Sequence, residues 1–178
     1  MLQSTGAGLG GKGVKLRDRG SFDVPGWGNI VAVWEADRLL YLSLAKATRQ
    51  IMPAHGQAPF LAEVERQVSA YLCGSLRRLD LPYALPAQSV FCQRLWQEAQ
   101  EIPYGQVISY GALAARANKP LAARAAGHAM SINQLFLIVP CHRVIASGGK
   151  LGGYGGRPDL KARLLTLEGL KVEAGRVM

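Results

Sequence analysis

The feature that most constrains this chain is the apolar run at residues 138–145, which reads IVPCHRVI. Such a run is typical of a strand or a buried segment that crosses a core. Its centre carries a thiol, an imidazole and a guanidinium, and polar groups are costly to bury without partners. Pro140 lacks a backbone donor and has a fixed φ, so the position of Cys141 is stiffly set. We therefore interpret Cys141 as a nucleophile that other parts of the chain position and activate.

The composition indicates a globular protein. Apolar residues make up 49% of the 178 residues, and no apolar run is long enough to span a bilayer. Residues 1–13 are rich in glycine and lack the apolar region of a secretory signal. We therefore expect no membrane association and a cytoplasmic protein.

The positive charge is concentrated in one segment. The net charge is +9, and eight Lys or Arg residues between positions 116 and 163 accompany a single acid, Asp159, which leaves an excess of seven. The eight are Arg116, Lys119, Arg124, Arg143, Lys150, Arg157, Lys161 and Arg163. A basic field of this kind favours polyanions, nucleic acid first. The alternative is that the charge serves only solubility.

The cysteines do not indicate a metal site. Cys73, Cys92 and Cys141 show no CxxC and no Cys/His spacing of a zinc site, so we expect neither metal nor cofactor. An odd count of three indicates a reducing compartment and at least one free thiol. Whether Cys73 and Cys92 form a disulfide stays open.

We predict three parts in the chain. Residues 1–20 form a flexible basic tail, 21–85 an N-terminal α/β domain, and 86–178 a C-terminal domain. Prolines at both ends of the stretch 81–87 resist helix and central strand, which favours a linker there.

The N-terminal domain has a clear pattern of elements. Residues 29–35 and 38–44 are β-branched and apolar and read as paired strands around a short turn. A loop at 53–59 precedes a helix that ends at Gly74. After the linker, Ser89 is suited to cap a helix to about residue 100.

Two short helices read as a helix-turn-helix. Ser109 is suited to cap a helix over residues 110–117, and Pro120 fits the first turn of a second helix that runs to about Met130. The second helix is rich in alanine, and Arg124 is its only long cation. Such a slim helix could approach a partner closely, but ordinary packing is the alternative.

The last helix ends in an unusual acid. Residues 158–168 follow a Gly-rich loop at 151–156, and Glu168 lies near the apolar stripe at the helix C-terminus, where a negative charge is unfavourable. An inward acid there indicates a partner, whereas a solvated last turn is the alternative. We expect Arg143 to tie the cysteine segment to a neighbouring element, which could be the N-terminal domain.

Six motifs occur together between residues 88 and 169. They are Ile102-Pro103-Tyr104-Gly105, Ser109-Tyr110, Arg124-Ala125-Ala126-Gly127, Asn133, Pro140-Cys141-His142-Arg143-Val144 and Gly153-Tyr154-Gly155-Gly156. In this order and spacing the chain resembles the O6-alkylguanine-DNA alkyltransferases. The resemblance implies an α+β fold, with a small N-terminal αβ domain that has an antiparallel sheet and a mainly helical C-terminal domain with a helix-turn-helix.

The resemblance also implies a role for each matching residue. Cys141 would accept the alkyl group irreversibly, in a single turnover. His142 would act as its base through a water and would be oriented by Glu168. Asn133 would be a hydrogen-bonding hinge, and Tyr110 would donate to guanine N3. The backbone N–H of Gly155 would reach O6, and the carbonyls of Cys141 and Val144 would read the exocyclic amine. Met130 and Tyr154 would form pocket walls, and Gly156 would also bind the substrate.

The implied partner is double-stranded DNA, bound by a monomer through the minor groove without sequence specificity. Arg124 would enter the duplex in the space of the extruded base, with Ala123, Gly127 and Ser109 also at the DNA. Asn133 is followed by Gln134, where many members of the family have proline. Phe136 then faces the region of the alkyl pocket, which leaves the accepted alkyl size open. The rival functions are a cysteine-dependent hydrolase and a non-catalytic helix-turn-helix protein.

Overall fold

The computed structural model of the chain describes residues 17–45 and 59–178. Most of the predicted tail at 1–20 and of the predicted loop at 53–59 lies outside the described residues. Residues 18–20 were assigned to the tail, but they belong to the first strand of the sheet, and Pro59 begins a helix. The N-terminal unit therefore starts earlier than its sequence pattern indicated.

A three-stranded antiparallel sheet forms the N-terminal unit. Its strands are β1 (Asp18–Val24), β2 (Gly28–Glu35) and β3 (Arg38–Leu44), in the order β1-β2-β3. The two predicted strands are confirmed as β2 and β3. Alternate side chains of β2, Ile30, Ala32 and Trp34, are buried, as the period of two in a half-buried strand requires.

The first helix packs against this sheet. It is α1 (Pro59–Leu72), which buries Val64, Val68 and Tyr71 at helical spacing. The indole of Trp27, in the turn after β1, donates to the carbonyl of Leu72 at 3.0 Å. This bond closes the last turn of α1 onto the sheet.

The C-terminal unit is mainly helical. Its elements are α2 (Val90–Gln100), β4 (Ile108–Ser109), α3 (Tyr110–Arg116), α4 (Ala123–Ser131), β5 (Val144–Ile145), α5 (Pro158–Leu167), β6 (Val172–Glu173) and β7 (Arg176–Val177). Short 3-10 turns occupy Cys141–Arg143 and Ser147–Gly149. Among the described residues, we find no helix that combines the length and apolarity needed to cross a membrane.

The predicted helix caps are partly confirmed. Ser89 and Ser109 accept from the backbone N–H groups of Cys92 and Ala112, at 3.3 and 3.0 Å. The second helix of the pair was predicted to begin at Pro120, but α4 begins at Ala123. Pro120 lies in a turn and no side chain caps α4, so the helix starts only where the alanine-rich run begins.

The two units share one core. The outer edge of β3 pairs with the linker at Tyr83 and with a C-terminal segment at Leu135. Leu42 donates to the carbonyl of Gln134 at 2.8 Å, and Phe136 donates to the carbonyl of Leu42 at 2.9 Å. The sheet edge is thereby covered, which protects it from pairing with other chains.

Candidate active site

Cys141 and His142 lie in a 3-10 turn directly before β5. β5 pairs in parallel with β4, and Val144 is opposite Ile108. The apolar run at 138–145 is therefore not one strand: it is a buried turn followed by two strand residues. Cys141 is 8% exposed and His142 is fully buried.

Asn133 fixes the cysteine segment from the other side. Its side-chain amide donates to the sulfur of Cys141 at 3.2 Å and to the carbonyl of Val139 at 3.0 Å. Its side-chain oxygen accepts from the backbone N–H of Leu135 at 2.9 Å. The Asn133 side chain thus links the thiol of Cys141 to the segment around Leu135, which pairs with the edge of β3.

His142 is held by Glu168. The ring Nε2 lies 2.6 Å from Oε1 of Glu168, and both side chains are buried. Burial alone would raise the pKa of Glu168, but bonds from His142, Arg143 and Tyr71 outweigh it and lower the pKa to about 2. An ionised carboxylate can only accept, so Nε2 carries the proton and donates it to Glu168.

The same tautomer makes Nδ1 of His142 a free base. Nδ1 is buried and has no hydrogen-bond partner among the described residues. Burial lowers the pKa of His142, against the opposing effect of Glu168, so the ring is neutral at neutral pH. The acid at the helix end therefore has a partner, and the solvated alternative for Glu168 is wrong.

Arg143 joins the two units at this point. Its Nε donates to both oxygens of Glu168, at 3.1 and 3.0 Å, and its Nη1 donates to the carbonyl of Ile102 at 2.7 Å. Its Nη2 donates to the hydroxyl of Tyr71 on α1 at 3.1 Å. The expectation that Arg143 ties the cysteine segment to a neighbouring element is confirmed, and that element includes the N-terminal unit.

The backbone at Gly105, which ends the motif Pro103-Tyr104-Gly105, also contacts Glu168, and this contact requires a glycine. Its N–H donates to Oε2 of Glu168 at 2.9 Å, and its φ is +75°. A Cβ at this position would lie 2.9 Å from the backbone oxygen of Glu168. Only glycine fits both the conformation and the approach. The resemblance contained this motif, but its task as a donor to the acid was not foreseen.

The thiol of Cys141 is protonated at rest. Burial raises its pKa, against hydrogen bonds from Asn133 and Tyr154 and the positive charge of Lys161. A buried thiol of this kind needs a base to form the nucleophilic thiolate. Nδ1 of the adjacent His142 is the unprotonated base that the turn supplies.

Lys161 is the ionisable residue that sequence reasoning misplaced. We counted it in the basic field, but it is fully buried on α5. Its ammonium donates to the carbonyls of Val144 at 2.5 Å and Leu151 at 2.6 Å. Burial lowers its pKa to about 8. The Val144 carbonyl, predicted to read the exocyclic amine of guanine, is thus already an acceptor for Lys161.

Two cavities meet at Cys141. The smaller, about 230 Å³, is lined by Tyr110, Gly127, Met130, Cys141, Tyr154 and Gly155, among others. The larger, about 310 Å³, shares Met130, Cys141, Tyr154 and Gly155 and extends past Phe136 to β3. Five predicted residues are thus brought together with Tyr110. Val144 and Gly156, predicted with the same group, line neither of these two cavities.

The helix pair α3–α4 borders the smaller cavity. Arg124 is exposed and makes no ion pair with any residue in the described ranges. Gly127 lines the cavity, and a Cβ there would meet nothing within 4 Å. Ala123 and Ser109 are half-buried, and the hydroxyl of Ser109 is engaged as the cap of α3.

The three cysteines are free thiols. Cys92 is buried, whereas Cys73 is exposed and its pKa is lowered by the hydroxyl of Ser75. The open question of a Cys73–Cys92 disulfide is answered by their free state. Within the described part of the chain, no group of three or more His, Cys, Asp or Glu could hold a metal ion.

Comparisons with known proteins give one consistent set of matches. Residues 90–170 match the family described as "6-O-methylguanine DNA methyltransferase, DNA binding domain". The chain is 37% identical over 145 residues to a methylated-DNA–protein-cysteine methyltransferase of Methanosarcina acetivorans, covering 80% of this chain and 92% of that protein. It is 37% identical over 149 residues to the constitutive methylated-DNA–protein-cysteine methyltransferase of Bacillus subtilis, covering 79% and 89%.

A solved structure shows the same architecture. The crystal structure of Mycobacterium tuberculosis OGT in complex with DNA matches with a TM-score of 0.75 and 36% identity, covering 84% of this chain and 91% of that one. The predicted α+β fold, with an antiparallel sheet before a mainly helical part, is confirmed.

Proposed function

The chain belongs to the methylated-DNA–protein-cysteine methyltransferase family, and on that basis we propose that it repairs O6-alkylguanine in DNA by transferring the alkyl group to its own Cys141. The observation that carries the choice of cysteine is the position of its thiol. Cys141 lies where two cavities meet, and His142, the next residue in the chain, has a buried ring nitrogen, Nδ1, without a hydrogen-bond partner among the described residues. Neither Cys73 nor Cys92 lines either cavity.

The transfer is a displacement at the alkyl carbon. Nδ1 of His142 takes the thiol proton of Cys141 through a water, and the Glu168 carboxylate stabilises the imidazolium that forms. The sulfur then bonds to the alkyl carbon as the carbon–O6 bond breaks, and the electron pair of that bond leaves with guanine. The departing guanine anion takes up one proton, the equivalent of the proton that Cys141 lost, so a thioether and an unmodified guanine result. One protein is consumed for each lesion.

Tyr110 assists the leaving group. Burial raises the pKa of its hydroxyl, so the hydroxyl stays protonated and can donate to the ring nitrogen N3 of guanine. The hydroxyl is 3.5 Å from the Gly153 carbonyl, a weak bond that a substrate can replace. Gly155 lines both cavities, and its N–H is suited to the departing O6.

The lesion must leave the base stack before it can reach a buried thiol. Flipping a nucleotide out of a duplex costs a few kcal/mol. The exposed Arg124 on α4 is suited to fill the vacated space, and the small side chains around it suit the narrow minor groove, about 6 Å wide. We propose that a monomer binds there without reading sequence, in the cytoplasm on the nucleoid or in the nucleus.

The test is a mass measurement on the intact protein. The protein is mixed with a duplex that carries one O6-methylguanine, and the stoichiometric gain of one methyl group is mapped by peptide analysis. We expect the methyl on Cys141 and a single turnover. Cys73 is an internal control, because it is the exposed thiol with the lowered pKa and general reactivity would favour it.

Three outcomes would contradict the proposal. A methyl on Cys73 would indicate non-specific alkylation, and no gain in mass would exclude transfer. Repeated turnover of substrate by the same protein would favour a cysteine-dependent hydrolase. Cys141→Ala should bind the duplex as tightly as the wild type and gain no mass.

A further inference from the structure

Tyr71 brings a hydroxyl from the N-terminal unit into the network of the candidate active site. It lies on α1 and is 1% exposed. Its oxygen contacts Oε1 of Glu168, lies 3.1 Å from Nη2 of Arg143, and lies 3.5 Å from Nε2 of His142. One hydroxyl thus touches three members of a network that is 71 or more residues away in the chain.

The chemistry of the neighbours determines the direction of each bond. Arg143 can only donate and ionised Glu168 can only accept. The hydroxyl of Tyr71 therefore accepts from Arg143 and donates its proton to Glu168. Burial is the main reason that the pKa of Tyr71 rises well above its ordinary value, so this proton is present throughout the range in which proteins are stable.

Tyr71 and His142 donate to the same oxygen of Glu168. The His142 bond is 2.6 Å long. A second donor spreads the negative charge of Oε1 over two bonds, so the pull on the imidazole proton is weaker. Without the Tyr71 hydroxyl, more of the charge would act on His142 and would favour its protonated form.

We propose that Tyr71 is a positioning residue for the transfer reaction, and that through Glu168 it lowers the pH at which His142 becomes a base for Cys141. This inference rests on the proposed function. It gives the N-terminal unit a part in the chemistry, because Tyr71 lies on α1. The family match begins only at residue 90 and does not include α1.

Other groups face His142 and Glu168, and Tyr71→Phe leaves all of them in place. Arg143 and Cys141 belong to the same turn as His142, and Lys161 acts on the imidazole from α5. Tyr104 lies before β4 and interacts electrostatically with Glu168. The Tyr104 hydroxyl donates to the backbone carbonyl of Leu167 at 2.9 Å, not to the carboxylate.

Tyr71→Phe and Tyr104→Phe form a matched pair. Each loses one hydroxyl beside Glu168, and the two rings pack edge to face with their centres 5.9 Å apart. Only the change at Tyr71 removes a donor to the carboxylate. For each variant and the wild type, the single-turnover rate of methyl transfer from an O6-methylguanine duplex is measured from pH 5 to pH 9, with urea unfolding as the measure of stability.

We expect the acidic midpoint of the rate profile to rise by about 0.5–1 pH unit in Tyr71→Phe, which reduces the rate below that midpoint about three- to tenfold. The midpoint of Tyr104→Phe should equal that of the wild type. An unchanged or lowered midpoint in Tyr71→Phe, or an equal rise in Tyr104→Phe, would overturn the inference. A loss of stability alone would show that Tyr71 only packs.

A second measurement separates this inference from the proposed function. Iodoacetamide alkylates a thiolate without DNA, so the pH dependence of Cys141 labelling, located by peptide mass, reports the same base. If the wild type does not take a methyl group from DNA, the proposed function fails. The labelling profiles of the two variants still decide whether Tyr71 acts on His142, with the same expected rise and the same overturning results.

Discussion

The buried network around Glu168 and the exposed face of α4 use charge in opposite ways. At Glu168, a carboxylate out of water receives bonds from Tyr71, Gly105, His142 and Arg143. On α4, Arg124 is exposed and has no ion-pair partner in the described part of the chain. One region satisfies its charges within the protein, whereas the other leaves a charge exposed to solvent.

This difference predicts which substitutions affect stability and which affect DNA binding. A buried charge that loses its partner is strongly destabilising, whereas an exposed charge contributes little to folding. Substitutions in the Glu168 network should therefore lower stability and transfer together. Substitutions on α4 should lower DNA affinity and leave stability unchanged.

The largest expected effect is that of Glu168→Gln. The change leaves the Arg143 guanidinium without its carboxylate and removes the partner that orients His142. The free energy of unfolding, measured in urea, should fall by about 3–5 kcal/mol. The rate of methyl transfer should fall about 100-fold or more, since general base catalysis contributes at least that much.

Glu98→Gln is the control for this change. Glu98 pairs with Arg94 on the surface of α2, at 3.0 Å, and an exposed pair of this type is worth under about 1 kcal/mol. Equal losses of stability in the two variants would break the comparison, because burial would then make no difference.

Lys161→Met should have the next largest effect. The carbonyls of Val144 and Leu151 lose a donor, so the free energy of unfolding at pH 7 should fall by about 1–3 kcal/mol. The wild type has a further pH dependence that the variant lacks. Because the folded pKa of Lys161 is about 8 instead of 10.5, the unfolded chain binds more protons between these values.

A lysine whose pKa is lower in the folded state than in the unfolded state makes stability rise with pH between the two pKa values. The free energy of unfolding of the wild type, relative to Lys161→Met, should therefore increase by about 2–3 kcal/mol between pH 8 and pH 10.5. Urea unfolding of both proteins at the two ends of the window measures this difference. If the difference in free energy of unfolding were the same at both pH values, the pKa of Lys161 would not be lowered in the folded state.

Arg124→Ala should have the smallest effect on the protein and a clear effect on binding. The loss of one cationic contact should weaken duplex binding about tenfold and reduce the salt dependence, measured as the slope of log K against log salt, by about one. The free energy of unfolding should change by less than about 0.5 kcal/mol.

Arg163→Ala is the matched control, because Arg163 is exposed but held by its own protein. Its guanidinium stacks 3.6 Å from the ring centre of Trp27 and donates to the Gly26 carbonyl at 2.6 Å. We expect a loss of about 1 kcal/mol in stability and unchanged DNA affinity. The reverse result for the two arginines would place the DNA surface elsewhere.

Local chemistry made much of the site predictable. Cys141 and His142 are adjacent, and Glu168 is an acid on an apolar stripe, so each attracted attention on its own. Lys161 carried a similar signal, since it precedes Leu165 by four residues and so shares a helix face with a buried leucine. It was missed because a lysine in a basic segment suggests a surface.

Contacts between residues far apart in the chain could not be predicted, because no local sequence pattern contains them. The Tyr71–Glu168 bond joins residues 97 apart, and Tyr71 looked like any core residue of α1. Strand β1 was missed for a related reason. Its sequence, DRGSFDV, has little strand propensity, and it is a strand because β2 supplies a partner along its whole length.

The covering of the β3 edge by Leu135 has a consequence for the newly made chain on the ribosome. β3 ends at Leu44, so about 90 residues must be added before the segment that pairs with it exists. At roughly 5–20 residues per second, that takes about 5–20 seconds. During this interval the nascent sheet presents unpaired backbone groups to its surroundings, and a chaperone that shields them would raise the yield of native protein.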